Sequence, residues 1–183
     1  MGLDMYLKGE RFLSEYGREG NKEKKKAVRE LFPEIKDTGN LNSVEVSFEI
    51  GYWRKANAIH KWFVDNCGEG NDDCRPVYVS RKNMEDLLAL CKDVINKVVL
   101  EDGKLHAGTR STPEKGIEEI YEDGKVIVNT EVAKELLPTS SGFFFGVLDY
   151  DEWYMNDIKH TIEVLEYALS LPEDYDFYYN ASW

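Results

Sequence analysis

The sequence predicts an α+β fold: an antiparallel sheet with two long amphipathic helices packed on one face. Three observations predict it. Residues 43–53, SVEVSFEIGYW, alternate apolar and polar side chains with period two, the mark of a half-buried strand. Residues 83–100 and 151–171 repeat their apolar side chains at helical spacing instead. Strands and helices also follow one another without regular βαβ alternation, which argues against a parallel sheet. The whole chain, residues 1–183, reads as one domain with insertions at about 10–40 and 101–129.

Taken in order, GLDMYL opens the chain as a short strand in which Leu3, Met5 and Leu7 alternate with Asp4 and Tyr6. The charged stretch after Arg18 carries a short helix ending near Phe32, ahead of Pro33. In the strand 43–53, Val44, Val46, Phe48 and Ile50 share a face. A helix opens at Asn57 or a neighbour and runs to about Asn66, with Ile59, Trp62 and Phe63 on one side. After the loop GEGNDDCRP and the short strand VYVS, Ser80 or Asn83 caps the first long helix. Its stripe is Met84, Leu87, Leu88, Cys91, Val94, Ile95 and Val98.

Residues 101–116 read as loop, and 118–129 as a hairpin turning at Asp123-Gly124, a pair suited to positive φ. TEVAKELLP is a short helix stopped by Pro138. TSSG is a turn, and FFFGVL is a buried strand or a tight loop crossing. The second long helix points Ile158, Ile162, Leu165 and Leu169 inward, and DFYYNASW closes the chain as a strand.

The net charge of −12 is uneven: residues 149–183 hold nine acids against one lysine, Lys159. Such a surface repels a phosphate backbone, so general nucleic-acid binding is not expected. Solubility is the plainer meaning of these acids; docking of a basic protein, in the manner of a DNA mimic, is the sharper one. Three cysteines, Cys67, Cys74 and Cys91, read as reduced thiols rather than a zinc site, because His60 is the one nearby candidate for a further ligand. No signal peptide or membrane span is legible, which predicts a cytoplasmic protein.

Against that acidity, EIGYWRKANAIHKWFV gathers cations among large aromatics. Arg54, Asn57 and Lys61 share a helical face, with His60 beside Asn57. A helix N-terminus adds backbone N–H groups, and arginine can fork onto phosphate or carboxylate. Tyr52 and Trp53 can stack on a base. The competing reading is a solvated helix face over core tryptophans. LLPTSSGFFFG is the second candidate: Thr139 and Ser140 supply hydroxyls, and Phe143 or a neighbouring ring can enter a pocket. The plainer reading there is a structural turn. Asp151, Glu152 and Asp157 form a third cluster, read mainly as complementing a helix dipole. No Ser–His–Asp or Cys–His arrangement is legible, and no cofactor or metal is predicted.

MGLDMYL, YWRKANAIHKWFV, LLPTSSGFFFG followed by YDEWY, and the final FYYNASW together resemble a family of small, mostly uncharacterised proteins encoded by phages and prophages. The resemblance covers most of the chain outside 10–40 and 101–129. It implies viral origin and action in the bacterial host's cytoplasm, and it carries over no catalytic residue. The function expected is that of a phage accessory protein binding a small nucleotide, and sequestering a signalling nucleotide of host antiviral defence. Arg54 and Lys61 would meet phosphate. Tyr52 or Trp53 and a ring from Phe143–Phe145 would hold a base; Asn57, Thr139 and Ser140 would read polar edges. Two alternatives stand beside it: an acidic inhibitor of a host protein, and a nucleotide-processing enzyme using His60 with Asp4 or Asp151. The enzyme reading has less support, since no constellation is legible. A homo-oligomer is compatible with the aromatic-rich edges.

Overall fold

Leu3, Met5 and Leu7 are all fully buried, as their alternation requires. They belong to the core of the fold, which the computed structural model describes over residues 2–14, 16, 20–35, 43–113 and 116–183. The first strand, β1 (Asp4–Ser14), runs twice as far as the short strand expected from GLDMYL. It pairs antiparallel with β2 (Ser43–Arg54), from Asp4↔Arg54 to Ser14↔Ser43, with a bulge opposite Leu7/Lys8. The excursion between them carries helix α1 (Asn21–Glu30); the part of it at 36–42 lies outside the described residues.

On its other side β1 pairs with β6 (Asp176–Ser182), and β6 pairs with the three-residue β3 (Val77–Val79). The sheet order is β2-β1-β6-β3, antiparallel throughout. Helices α2 (Asn57–Cys67), α3 (Arg81–Lys97) and α5 (Glu152–Ser170) supply the rest of the core, with the short α4 (Thr130–Leu136). Ile59 and Phe63, Met84, Leu87 and Val94, and Ile158 and Leu165 meet Met5, Leu7, Phe177 and Tyr179 in one cluster. The Phe63 and Tyr179 rings stack at 4.1 Å. Tyr6, Lys8, Glu10 and Phe12 alternate onto the opposite face, and none of them belongs to that cluster.

Helix α3 begins with a capping box: Asn83 N–H donates to Ser80 Oγ at 3.0 Å, and Ser80 N–H donates to Asn83 Oδ1 at 3.3 Å. Its partner α5 starts at Asp151, whose Oδ1 accepts from the Trp153 and Tyr154 amides at 2.9 and 3.0 Å. Both caps satisfy N–H groups that a helix leaves unpaired.

Residues 100–127 depart most from expectation. The stretch read as loop is strand β4 (Leu100–Thr112), paired along its length with β5 (Gly116–Ile127) as a separate two-stranded sheet. Asp123-Gly124 is not the turn. Gly124 lies inside β5 opposite Gly103, and its missing Cβ leaves room for Leu105, which is buried there. A side chain at Gly103 would likewise meet Val126 at 2.6 Å. Close packing, not a positive φ, requires these glycines. FFFGVL is irregular crossing loop rather than strand, with Phe144 (φ 62°) and Gly146 (φ 94°) in the left-handed region. Among the described residues no helix is long and apolar enough to cross a membrane.

Candidate functional site

The junction of β2 and α2 is a sharp corner. Lys55 adopts φ 61°, its amide donates to Leu3 O at 2.8 Å, and Asn57 N–H donates back to Lys55 O at 2.8 Å. The N-cap of α2 is Ala56, whose methyl cannot accept a hydrogen bond, and no side chain caps this helix. With the Asn57 amide turned to Lys55 O, the next amides, of Ala58 and Ile59, have no side-chain cap at the positive end of the helix dipole.

The loop 139–150 folds onto this corner through Asn57. The buried Asn57 side-chain amide donates to Phe145 O at 3.2 Å and Val147 O at 2.9 Å, and its carbonyl accepts from Ser140 N at 3.1 Å. Gly146 passes so close to Lys55 that an added Cβ would lie 3.2 Å from the lysine stem. Thr139 Oγ1 donates to Leu148 O at 3.1 Å, and the Tyr150 hydroxyl accepts from the Thr139 amide at 3.1 Å. The two sequence motifs thus meet.

Between this corner and the first turns of α5 lies a cleft of about 370 Å³. Arg54, Lys55 and the start of α2 form one wall, with Thr139, Gly146 and Val147 at the side. Trp153, Asn156 and Asp157 form the other, over Asp149 and Asp151. Trp153 is 54% exposed, with its ring free to meet a ligand. Four residues apart, Trp153 and Asp157 share one face of α5.

The acids are tuned by burial. Asp157 is pushed up to about 7, first by desolvation and then by the charge of Asp151. Asp151 is also raised: burial outweighs the two amide hydrogen bonds that lower it, and Asp149 and Glu152 add to the rise. The cleft therefore combines a cationic wall with a carboxyl that titrates near neutrality, a group able to give or accept a hydrogen bond there. Among the described residues no three His, Cys, Asp or Glu side chains are arranged to hold a metal ion.

Several predicted site residues lie elsewhere. Trp53 is in the core, its indole N–H donating to Thr161 Oγ1 at 2.9 Å, so it does not face a ligand. Tyr52 projects from the open face of the sheet, where its hydroxyl donates to Asp4 Oδ1 at 2.6 Å. His60 is buried: Nδ1 lies 2.8 Å from the Tyr179 hydroxyl and Nε2 lies 3.0 Å from Asp72 Oδ2. Both ring nitrogens are engaged away from the cleft, which leaves His60 no part in chemistry with Asp4 or Asp151. Lys61 pairs with Asp65 at 2.6 Å on the exposed side of α2. Phe143 is 68% exposed beside Phe144, while Phe145 packs edge-on against His60 at 5.0 Å.

Of the predicted set, Arg54, Asn57 and Thr139 line the cleft, and Ser140 is bound to Asn57 at its edge. The cleft also draws in Lys55 and Trp153, which the sequence reading did not single out as site residues, and Asp157, which it read mainly as complementing the helix dipole. The spacing of Trp153 and Asp157 along one helix face was a usable signal. No protein-family model, curated protein or solved structure matches this chain.

Proposed function

We propose that the protein binds a small nucleotide in the cleft between the start of α2 and the first turns of α5. One observation carries the reading: Arg54, Lys55 and the uncapped end of α2 face an exposed tryptophan across a single cleft. Arginine, lysine and free helix amides suit a phosphate. An indole face suits a base, and such stacking contributes about 1–3 kcal/mol. Asp157 and Thr139 are placed to meet amino or hydroxyl groups, while Asn57 and Ser140 hold the loop in position. The cleft volume falls within the range of small-molecule sites, about 300–1,000 Å³. The resemblance to phage-encoded proteins supports sequestration of a signalling nucleotide of host antiviral defence as the use of such binding.

The test is calorimetry with a panel of mono-, di- and cyclic nucleotides, beside mass spectrometry of whatever copurifies with the protein. At least one nucleotide should bind with one-to-one or simple fractional stoichiometry. Arg54→Ala should abolish binding, and Trp153→Ala should weaken it roughly 5- to 150-fold. A folded protein that binds none of the panel would sink the reading.

A second reading, that bound nucleotide is also processed, draws on Asp157 alone. A carboxyl titrating near 7 beside an anion site has the protonation behaviour of a general acid–base. Product formation from the bound nucleotide, lost in Asp157→Asn with affinity retained, would establish it. An intact nucleotide after long incubation would leave binding as the function.

A further inference from the structure

On the outer face of the four-stranded sheet several large side chains are exposed, and the register sets the side chains of this face in rows. Tyr52, Tyr6 and Asn180 form one row; Glu49, Lys8, Tyr178 and Tyr78 form the next. Ser47, Glu10 and Asp176 form the third, and Glu45 stands beside Phe12 in the fourth. Tyr52, Tyr78 and Phe12 are 40%, 55% and 60% exposed, unusual for large rings on a strand face.

Charge on this face is one-sided. Asp4, Glu10, Glu45, Glu49 and Asp176 stand against Lys8 and Arg54, and Arg54 lies 3.9 Å from Asp4. Among the described residues, Glu10, Glu45 and Asp176 form no salt bridge; Glu10 accepts a hydrogen bond from Ser47 Oγ at 3.2 Å. A hydrogen bond to Glu10 and the charge of that carboxylate, with Asp176 adding to it, push Glu45 above the usual carboxylate range. Burial and the same acids push the Tyr178 phenol up. The three carboxylates crowd one another, and a cation placed among them would relieve that repulsion.

We propose that this face docks a lysine- and arginine-rich segment of a partner protein, with its cations among Glu10, Glu45 and Asp176 and its stems on Tyr178, Tyr78 and Phe12. Carboxylates interleaved with aromatic faces offer arginine both contacts it uses best, a charged hydrogen bond and a ring to lie on. Tyrosine-rich patches are also where protein interfaces concentrate their affinity. Nucleic acid would meet the same acids as repulsion. A second copy of the chain would set acids against acids. The face meets the nucleotide cleft at Arg54, but the carboxylates and rings proposed to hold the peptide lie in the other rows, so neither proposal depends on the other.

The experiment is fluorescence anisotropy of a labelled arginine-rich peptide against the full chain, with a glutamate-rich peptide and duplex DNA as controls. The basic peptide alone should bind, and binding should weaken as salt rises. Combined Glu10→Gln, Glu45→Gln and Asp176→Asn should cost about tenfold or more in affinity. Neutralising three distant exposed acids, Glu85→Gln, Glu131→Gln and Glu135→Gln, should change it less than about twofold. The exposed single change Glu45→Lys should weaken binding even if the triple variant folds poorly. An equal loss from the distant set would reduce the effect to net charge and overturn the proposal. So would absence of binding at low salt, equal binding of DNA, or self-association that the triple variant abolishes.

Discussion

Asn57 joins three points of the chain through one amide group, and all three of its hydrogen bonds are to backbone in or beside the loop 139–150. Asn57→Ala would leave one buried carbonyl, Phe145 O, and one partly buried, Val147 O, without their donor. The expected cost is about 2–4 kcal/mol of stability, read from denaturant midpoints. A loss below about 0.5 kcal/mol would mean that the loop is held by other contacts. Asp157 gives a prediction in pH. Its folded value of about 7 lies above its ordinary 3.8, so the folded state keeps a proton that the unfolded chain releases between those values. Stability from this group is therefore full below pH 4 and falls as pH rises toward 7. Asp157→Asn should flatten that fall and stabilise the protein above pH 7, by at most about 4 kcal/mol. A pH–stability curve unchanged by the substitution would show that Asp157 ionises freely in the fold. At this scale the sequence disclosed types but not directions. Arg54, Asn57 and Thr139, singled out because donors near a helix start and a Gly-rich turn suit an anion, line one cleft. Trp53 and His60 were misplaced because strand alternation alone does not say which face a tryptophan takes, and because Tyr179 and Asp72, the partners of His60, lie far from it or in a loop.

The helix α5 was legible to within a residue at each end and α3 to within three, since their stripes are long and their caps, Ser80 and Asp151, are good acceptors. How α5 ends was not. Arg81, at the start of α3, donates to Leu169 O at 3.0 Å, Leu171 O at 2.8 Å and Pro172 O at 2.7 Å. Arg81→Lys keeps the charge but cannot span three carbonyls, and should cost on the order of 1–2 kcal/mol in thermal or denaturant unfolding. Residues 101–116 were read as loop, and the hairpin was placed within 118–129, because much of the β4–β5 arm faces solvent on both sides, so apolar alternation is weak. Its ladder is supported by cross-strand pairs such as Lys104–Asp123 at 2.5 Å, and by His106 beside Glu119. A two-stranded ribbon with so few buried side chains is marginal on its own. Amides beyond Leu105 and Glu122 should exchange with deuterium well before those of β1 and β6. Equal protection across both sheets would show that something covers the arm.

Across the whole molecule, an acidic chain concentrates two cations and a helix start at one cleft and leaves carboxylates on the open sheet face. Salt should act on the two surfaces with the same sign, since both depend on charge, but Trp153→Ala should affect only nucleotide binding and Glu45→Lys only peptide binding. The α+β class was legible from local pattern, while the sheet order was not, because it depends on which strands meet over long separations. The position of β6 is the clearest case. Residues 176–182 lie between β1 and β3, hydrogen-bonded to both. Removal of the chain from Asp176 onward should therefore leave no cooperative unfolding transition, as calorimetry can show, rather than a slightly weakened fold. The same placement has a consequence for biosynthesis. β1 is synthesised long before β6, so its β6-facing edge stays open until residue 182 is available, and nascent chains depend on chaperones or on a slow, late closure.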